Sequence, residues 1–127
     1  MQSVDEFTVA VNGNDGEVLR GKFKIKVKLS VKDRLRIDEI RRGILGGKSS
    51  EADGEADSLA RALGKIQVHI IESPQFWKDH ENGLAFEDLD PVLKVLEQIT
   101  KIEATYYEAK AKEAEAAKEE LKNDLLK

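Results

Sequence analysis

The sequence predicts an α+β fold in which an N-terminal β-hairpin packs against about three helices, the last of them long enough to extend as an arm. Three observations lead to this prediction. Apolar and basic residues alternate through residues 19–29, which is typical of a strand with one buried face. Further along, apolar residues recur every three or four positions, as on a packed helix. After Pro91 no residue interrupts a helix.

The hairpin is predicted from two strands of unequal length. Residues 4–11 form the first strand, the run Asn12-Gly13-Asn14-Asp15-Gly16 favours a close turn, and residues 17–29 form the second. Because the second strand is longer, we expect its last residues to have no partner within the hairpin. Such an end is either shielded by its lysines or completed by another chain, and both alternatives stay open.

A first helix is expected over residues 31–42. Ser30 followed by Asp33 resembles a capping pair at a helix start, and Gly43 is expected near the C-terminal end of the helix. Four apolar residues fall roughly along one side of this helix: Val31, Leu35, Ile40 and Ile44.

A second helix is expected over residues 55–72, after a flexible Gly/Ser-rich loop at 46–54. Apolar residues recur there at helical spacing, at Leu59, Leu63, Ile66 and Ile70. Residues 66–71 also alternate, so a strand is the alternative at that point. We favour the helix, because the longer pattern includes these residues.

The last helix is predicted to start at Asp90-Pro91, an acidic N-cap followed by proline at the first helical position. A helix of about 36 residues is about 54 Å long. Its first half has an apolar side, whereas residues 108–120 are mostly Ala, Glu and Lys. We therefore divide the chain into a domain, residues 1–107, and a solvated helical arm, residues 108–127.

Composition excludes several classes of protein. The chain has 127 residues and no cysteine, which suits one domain and rules out disulfides and thiolate sites. Its N-terminus lacks the pattern of a signal peptide, and no apolar run approaches the ~20 residues of a membrane span. We expect a soluble intracellular protein with no membrane partner. Residues 1–48 carry a net charge of +4 and residues 49–127 one of −8, so copies could pack head to tail.

No motif indicates catalysis. Gly47-Lys48-Ser49 resembles the end of a phosphate-binding loop, but Arg42 stands where that motif requires glycine, so a linker is the better interpretation. His69 lies in an apolar stretch typical of a core, and His80 lacks further ligands at metal-binding spacing. We expect no enzyme activity, cofactor, metal or small-molecule substrate.

Candidate interaction residues fall into three groups. Lys22, Lys24, Lys26 and Lys28 line one strand face, which is either a solvated face or a docking site for an acidic protein surface. Nucleic acid is disfavoured, because this face has no aromatic residues for stacking. Phe76 and Trp77 either close the core or form an exposed anchor, and core closure is the better interpretation. Tyr106 and Tyr107, near the start of the arm, complete the set.

The order of features resembles small morphogenesis proteins of tailed bacteriophages. The segments that carry the resemblance are Gly-Lys-Phe-Lys-Ile-Lys-Val-Lys-Leu at 21–29, Leu-Ser-Val-Lys-Asp-Arg-Leu-Arg-Ile-Asp-Glu-Ile-Arg-Arg at 29–42, Ser-Pro-Gln-Phe-Trp at 73–77, Asn-Gly-Leu-Ala-Phe-Glu-Asp-Leu-Asp at 82–90, and the long Glu/Lys/Ala-rich helix. No functional residue is carried over from that family.

The resemblance implies a non-catalytic protein that binds other phage structural proteins or copies of itself. The expected role is an accessory component of the particle, such as a capsid decoration or tail protein, found in the host cytoplasm during assembly and then in the virion. The alternative is a tail assembly chaperone that binds the tape-measure or tube protein. A coil-forming adaptor unrelated to phages is a third possibility, although the arm lacks a heptad seam. In each case the hairpin edge and the long helix would make the contacts.

Overall fold

The structure, a computed structural model, describes residues 3–47 and 53–125. It has the predicted α+β architecture: a three-stranded antiparallel sheet is followed by helices, and the last helix is by far the longest. The elements are β1 (Val4–Asn12), β2 (Val18–Lys26), α1 (Val31–Leu45), α2 (Gly54–His69), β3 (Ile70–Glu72), α3 (Gln75–Asp79) and α4 (Asp90–Leu125).

The sheet has the order β1-β2-β3, with β2 in the centre. β1 and β2 are equally long and pair over their whole length, from Val4 opposite Lys26 to Asn12 opposite Val18. The prediction that the second strand has an unpaired end is therefore wrong. β2 ends at Lys26, and the next residue, Val27, donates its amide proton to the Ser3 carbonyl at 2.5 Å. Because β3 occupies part of the other side of β2, the open edge of the hairpin belongs to β1.

The core lies between one face of the sheet and the helices α2, α3 and α4. Phe7 and Phe23 stack across β1 and β2 with ring centroids 5.1 Å apart, and Phe23 meets Trp77 of α3 edge to face at 5.5 Å. Leu63 and Ile66 of α2, and Val92, Val95 and Ile99 of α4, complete this cluster. The apolar residues that alternate along the predicted hairpin are thus the residues on the buried face of the sheet.

The first helix starts as predicted and ends later. The Ser30 hydroxyl accepts from the Asp33 amide, and the Asp33 carboxylate accepts from the Ser30 amide, which is a complete capping box. The helix continues through Gly43 and ends at Gly46, whose φ of +68° suits glycine. Its packing side carries Ile37, Ile40 and Ile44, which are half-buried.

The expected grouping of Val31 and Leu35 with Ile40 and Ile44 on that side is wrong. Val31 is 76% exposed and Leu35 is 69% exposed. Polar contacts fix the rotation of the helix, because the Arg41 guanidinium donates to Asp57 of α2 at 2.6 Å and therefore turns its own side of α1 inward.

The second helix and the third strand share the segment that could be read either way. The predicted helix is confirmed up to His69, and the alternative, a strand, is confirmed for Ile70–Glu72. Here β3 exists because Ile70 and Glu72 pair with Ile25 and Lys24 of β2. That pairing is a long-range contact, which the local pattern does not contain.

The long helix α4 begins at Asp90 and runs unbroken to Leu125, the last described residue. Its first half is amphipathic as predicted, with Val92, Val95 and Ile99 buried and Ile102 and Tyr106 half-buried. Every residue from 110 to 125 is exposed. Within residues 3–47 and 53–125, no helix combines the length and apolar character needed to cross a bilayer.

Candidate protein-interaction surfaces

The continuously exposed part of α4 begins at residue 110, two residues later than the predicted start of the arm, and residues 110–125 are called the arm from here on. Its 16 residues extend about 24 Å at 1.5 Å per residue. Two of its side chains are large and apolar: Leu121 is 62% exposed and Leu125 is 78% exposed. At a spacing of four residues they lie on the same side of the helix. An exposed helix of this kind contributes almost nothing to the core, so its apolar pair is available for a contact.

A polar cluster around one buried histidine lies at the point where the arm leaves the domain. His69 is fully buried, with Nδ1 2.6 Å from the carbonyl oxygen of Lys26 and Nε2 3.2 Å from Oε2 of Glu103. The second contact does not have the geometry of a hydrogen bond. The other oxygen of Glu103 is 2.8 Å from the Lys65 ammonium. These contacts tie α4 to α2 and to the end of β2, one turn before Tyr106.

The two predicted tyrosines lie where the arm begins. Their rings meet edge to face at 5.2 Å. Tyr106 is half-buried and lines a groove of about 350 Å³, whereas Tyr107 is 41% exposed. The other residues lining the groove are Val4, Asp5, Val27, Lys101, Ile102, Thr105 and Ala109. Tyr107 is therefore the more accessible of the two.

The predicted row of lysines is largely matched by acids within the protein itself. Lys22 lies 3.2 Å from Glu6, and Lys24 stands between Glu6 on β1 and Glu72 on β3 in the strand register. Lys26 bonds Asp33 at 2.7 Å, and Lys28 lies beyond the end of β2. These pairs reduce the positive potential that an acidic partner would meet on this face. The row therefore carries less weight as a docking site than its sequence indicates.

Phe76 and Trp77 belong to the core. Trp77 is 1% exposed and Phe76 9%, which is the core alternative of the sequence analysis. Neither side chain is accessible to a partner in this structure, so neither contributes to an interaction surface.

The missed surface is the outer face of α1, defined by Val31, Lys32, Arg34, Leu35 and Arg36. All five residues are exposed. Within the described part of the chain, no acidic group lies at ion-pair distance from Lys32, Arg34 or Arg36. Two apolar side chains surrounded by three unpaired cations make a basic, partly apolar patch. The signal for this face in the sequence is the run Lys-Asp-Arg-Leu-Arg at 32–36, in which cations flank the apolar residue Leu35.

Two carboxylates hold this outer face in place. The Asp33 carboxylate bonds the Lys26 ammonium and the Ser30 amide, and these bonds lower its pKa to about 2 from the ordinary 3.8. Asp38 accepts from Arg41 at 3.0 Å, which lowers the pKa of Asp38 as well. Because Arg41 also bonds Asp57 of α2, helix α1 is fixed to both of its neighbours and presents its outer face in one orientation.

His80 has a structural role in the loop that follows α3. His80 stacks on Phe86 at 4.2 Å and its Nδ1 lies 2.7 Å from the Phe76 carbonyl oxygen, so the ring is part of the loop's packing. In residues 3–47 and 53–125, no three or more of the His, Asp and Glu side chains are grouped in a way that could hold a metal ion. Lys48 and Ser49, the centre of the motif interpreted as a linker, lie outside the described residues.

Comparisons with protein-family models, with curated proteins and with solved structures give no match for this chain.

Proposed function

We propose that this protein is a non-catalytic binding protein that attaches to a neighbouring protein through the arm of α4. The observation that carries the proposal is the arm itself: 16 consecutive helical residues lie outside the domain, and the large apolar pair Leu121 and Leu125 faces solvent. Apolar residues placed singly on a surface are common, but an ordered pair on a projecting helix suits a helix-in-groove contact.

The rigid base of the arm supports the same proposal. Glu103 of α4 pairs with Lys65 of α2 and contacts the buried ring of His69, so the helix leaves the domain in a fixed direction. A fixed direction reduces the entropy that is lost when the arm binds, and preorganisation of this kind raises affinity.

The setting that we propose is the particle of a tailed bacteriophage, in which the protein is an accessory component such as a capsid decoration or tail protein. This part of the proposal rests on the sequence resemblance. A projecting arm is suitable for a structural component that must contact an adjacent subunit at a fixed distance. A tail assembly chaperone is the second candidate, since it would use the same arm to bind the tape-measure or tube protein before leaving.

The binding function is tested by site-specific photo-crosslinking of the full-length chain in the cells that produce it. A photoreactive residue at Leu121 should give a crosslinked product of higher mass. The matched control at Glu17, an exposed residue in the hairpin turn, should not. Deleting residues 110–127 should remove the crosslinked complex while the urea unfolding free energy changes by less than about 0.5 kcal/mol. No product from Leu121, or a truncated chain that fails to fold, would contradict the proposal.

The setting is tested by quantitative mass spectrometry of the mature particle encoded by the same genome. Many copies per particle would support the accessory component. Absence from the particle together with abundance in infected cells would favour the chaperone. A genome without phage structural genes would overturn the phage setting and leave the binding function to the crosslinking test.

A further inference from the structure

We infer that the arm's partner is a second copy of this chain, and that Leu121 and Leu125 of one copy dock antiparallel on the outer face of α1 in the next. This inference rests on the proposed function, because it identifies the partner that the arm binds. The outer face of α1 is basic and partly apolar, and nothing covers it within the described structure. In this inference, the arm of a second copy covers it.

The contact has to be made between molecules. The arm is one helix with α4, and no Gly or Pro between residues 110 and 125 allows it to turn back on its own domain. Its side chains are all exposed. If the last nine residues make the contact, about 10 Å of helix still separates them from the domain to which they belong. That distance leaves room for the first turns of a neighbouring α1.

The apolar groups match in spacing and exposure. Val31 and Leu35 are four residues apart on α1, as Leu121 and Leu125 are on the arm. All four side chains are more than 60% exposed. In an antiparallel pair, Val31 lies opposite Leu125 and Leu35 lies opposite Leu121, so that each apolar side chain meets another one.

The charges on one flank of the contact are complementary in this orientation. At 3.6 residues per turn, Arg34 lies to one side of the apolar pair on α1. Glu120 and Asp124 lie to the corresponding side of the apolar pair on the arm. Antiparallel packing brings those two sides together, so one cation meets two carboxylates. On the other side, Glu39 of α1 comes beside Lys118 of the arm, but Lys32 of α1 comes beside Lys122, so this side gives no net attraction. None of these seven groups has an ion-pair partner at 4.0 Å or less elsewhere in the described chain.

The geometry of such a contact determines the kind of assembly. The arm and the outer face of α1 are different surfaces, so each copy gives one contact and receives another, head to tail. Heterologous contacts of this type form rings if the rotation closes and open filaments if it does not. A single two-helix contact is small, so assembly is expected to depend on concentration and to weaken at high salt.

The test uses charge reversal in the full-length chain, with mass measured by sedimentation velocity up to about 1 mM protein. One variant reverses the arm, Glu120→Arg with Asp124→Arg, and another reverses the face, Arg34→Glu. Either variant alone should remain monomeric at concentrations where the natural chain assembles. An equimolar mixture of the two should assemble again, because the reversed arm fits the reversed face and the natural arm fits the natural face.

The matched control changes the same amount of charge on the same helix outside the contact: Glu97→Arg with Glu108→Arg, two exposed residues. It should assemble like the natural chain. If the natural chain stays monomeric at every concentration, the inference is wrong, while crosslinking of Leu121 to another protein would still support the proposed function. If reversing the arm abolishes assembly and Arg34→Glu has no effect, arms pair with arms and the inference is again wrong.

Discussion

Two helical glycines, Gly64 in the middle of α2 and Gly43 in the last turn of α1, give the closest test of how α1 is held against α2. Gly64 of α2 faces the backbone of α1, and a Cβ atom added there would lie 2.9 Å from the carbonyl oxygen of Ile37. Gly43 of α1 faces open space, with no atom within 4 Å of an added Cβ. The substitution Gly→Ala therefore has the same local chemistry at both positions but a different tertiary consequence.

The expected magnitudes follow from two opposing terms. Alanine is about 1 kcal/mol better than glycine in a helix interior, which stabilises both variants. At Gly43 that term stands alone, so Gly43→Ala should raise the unfolding free energy by about 0.5–1 kcal/mol. At Gly64 the added atom meets backbone, which cannot rotate away, and overpacking of this kind costs about 1–3 kcal/mol. Gly64→Ala should therefore lower the unfolding free energy by about 1 kcal/mol.

Urea unfolding followed by far-UV circular dichroism measures both values, and equal slopes in the two variants keep the comparison valid. The difference between the variants should be about 1.5–2 kcal/mol. If Gly64→Ala stabilises the protein as much as Gly43→Ala does, α1 yields easily at this contact. The view that α1 is held in one place, on which its role as a docking face depends, would then be wrong.

Three further predictions concern the contacts that hold the elements together. Trp77→Ala should lower the unfolding free energy by about 3–5 kcal/mol, because the ring fills the core; a loss below 1 kcal/mol in urea unfolding would contradict its burial. The folded-state pKa of Asp33 is lowered to about 2, so the stability from its bonds is present above pH 3.8 and is lost as the pH falls through about 2. An NMR titration should give that midpoint, and Lys26→Met should raise it. Asn14→Ala removes two hydrogen bonds from the hairpin turn to residues 85–87 and should cost about 1–2 kcal/mol. Unchanged hydrogen exchange at the Glu87 amide would refute that prediction.

Local signals were sufficient for most of the elements. Strict alternation around Phe23 and Ile25 gave the buried face of the hairpin, Ser30 with Asp33 gave the start of α1, and Asp90-Pro91 gave the start of α4. In each case the deciding residues lie within a few positions of each other. Periodicity and capping are local properties, and a single sequence contains them.

What the sequence could not provide depends on contacts between distant residues. β3 has three residues, and only its pairing with β2 distinguishes it from the end of α2. The rotation of α1 depends on the bond from Arg41 to Asp57, sixteen positions away. For the same reason Val31 and Leu35 are exposed although the sequence placed them on the packing side, whereas the burial of Trp77 agrees with the preferred interpretation of the sequence. The arm was predictable, because a long run of Ala, Glu and Lys has little to bury.

Because α4 is unbroken, the number of residues in it sets both the reach of the arm and the direction in which its leucine pair points. Each residue inserted between Glu103 and Leu121 would lengthen the reach by about 1.5 Å and rotate the leucine pair by about 100°. An insertion of seven residues nearly restores the phase while adding about 10 Å, whereas an insertion of two points the pair almost in the opposite direction. The distance between this domain and its binding partner is thus determined by the number of residues in one helix.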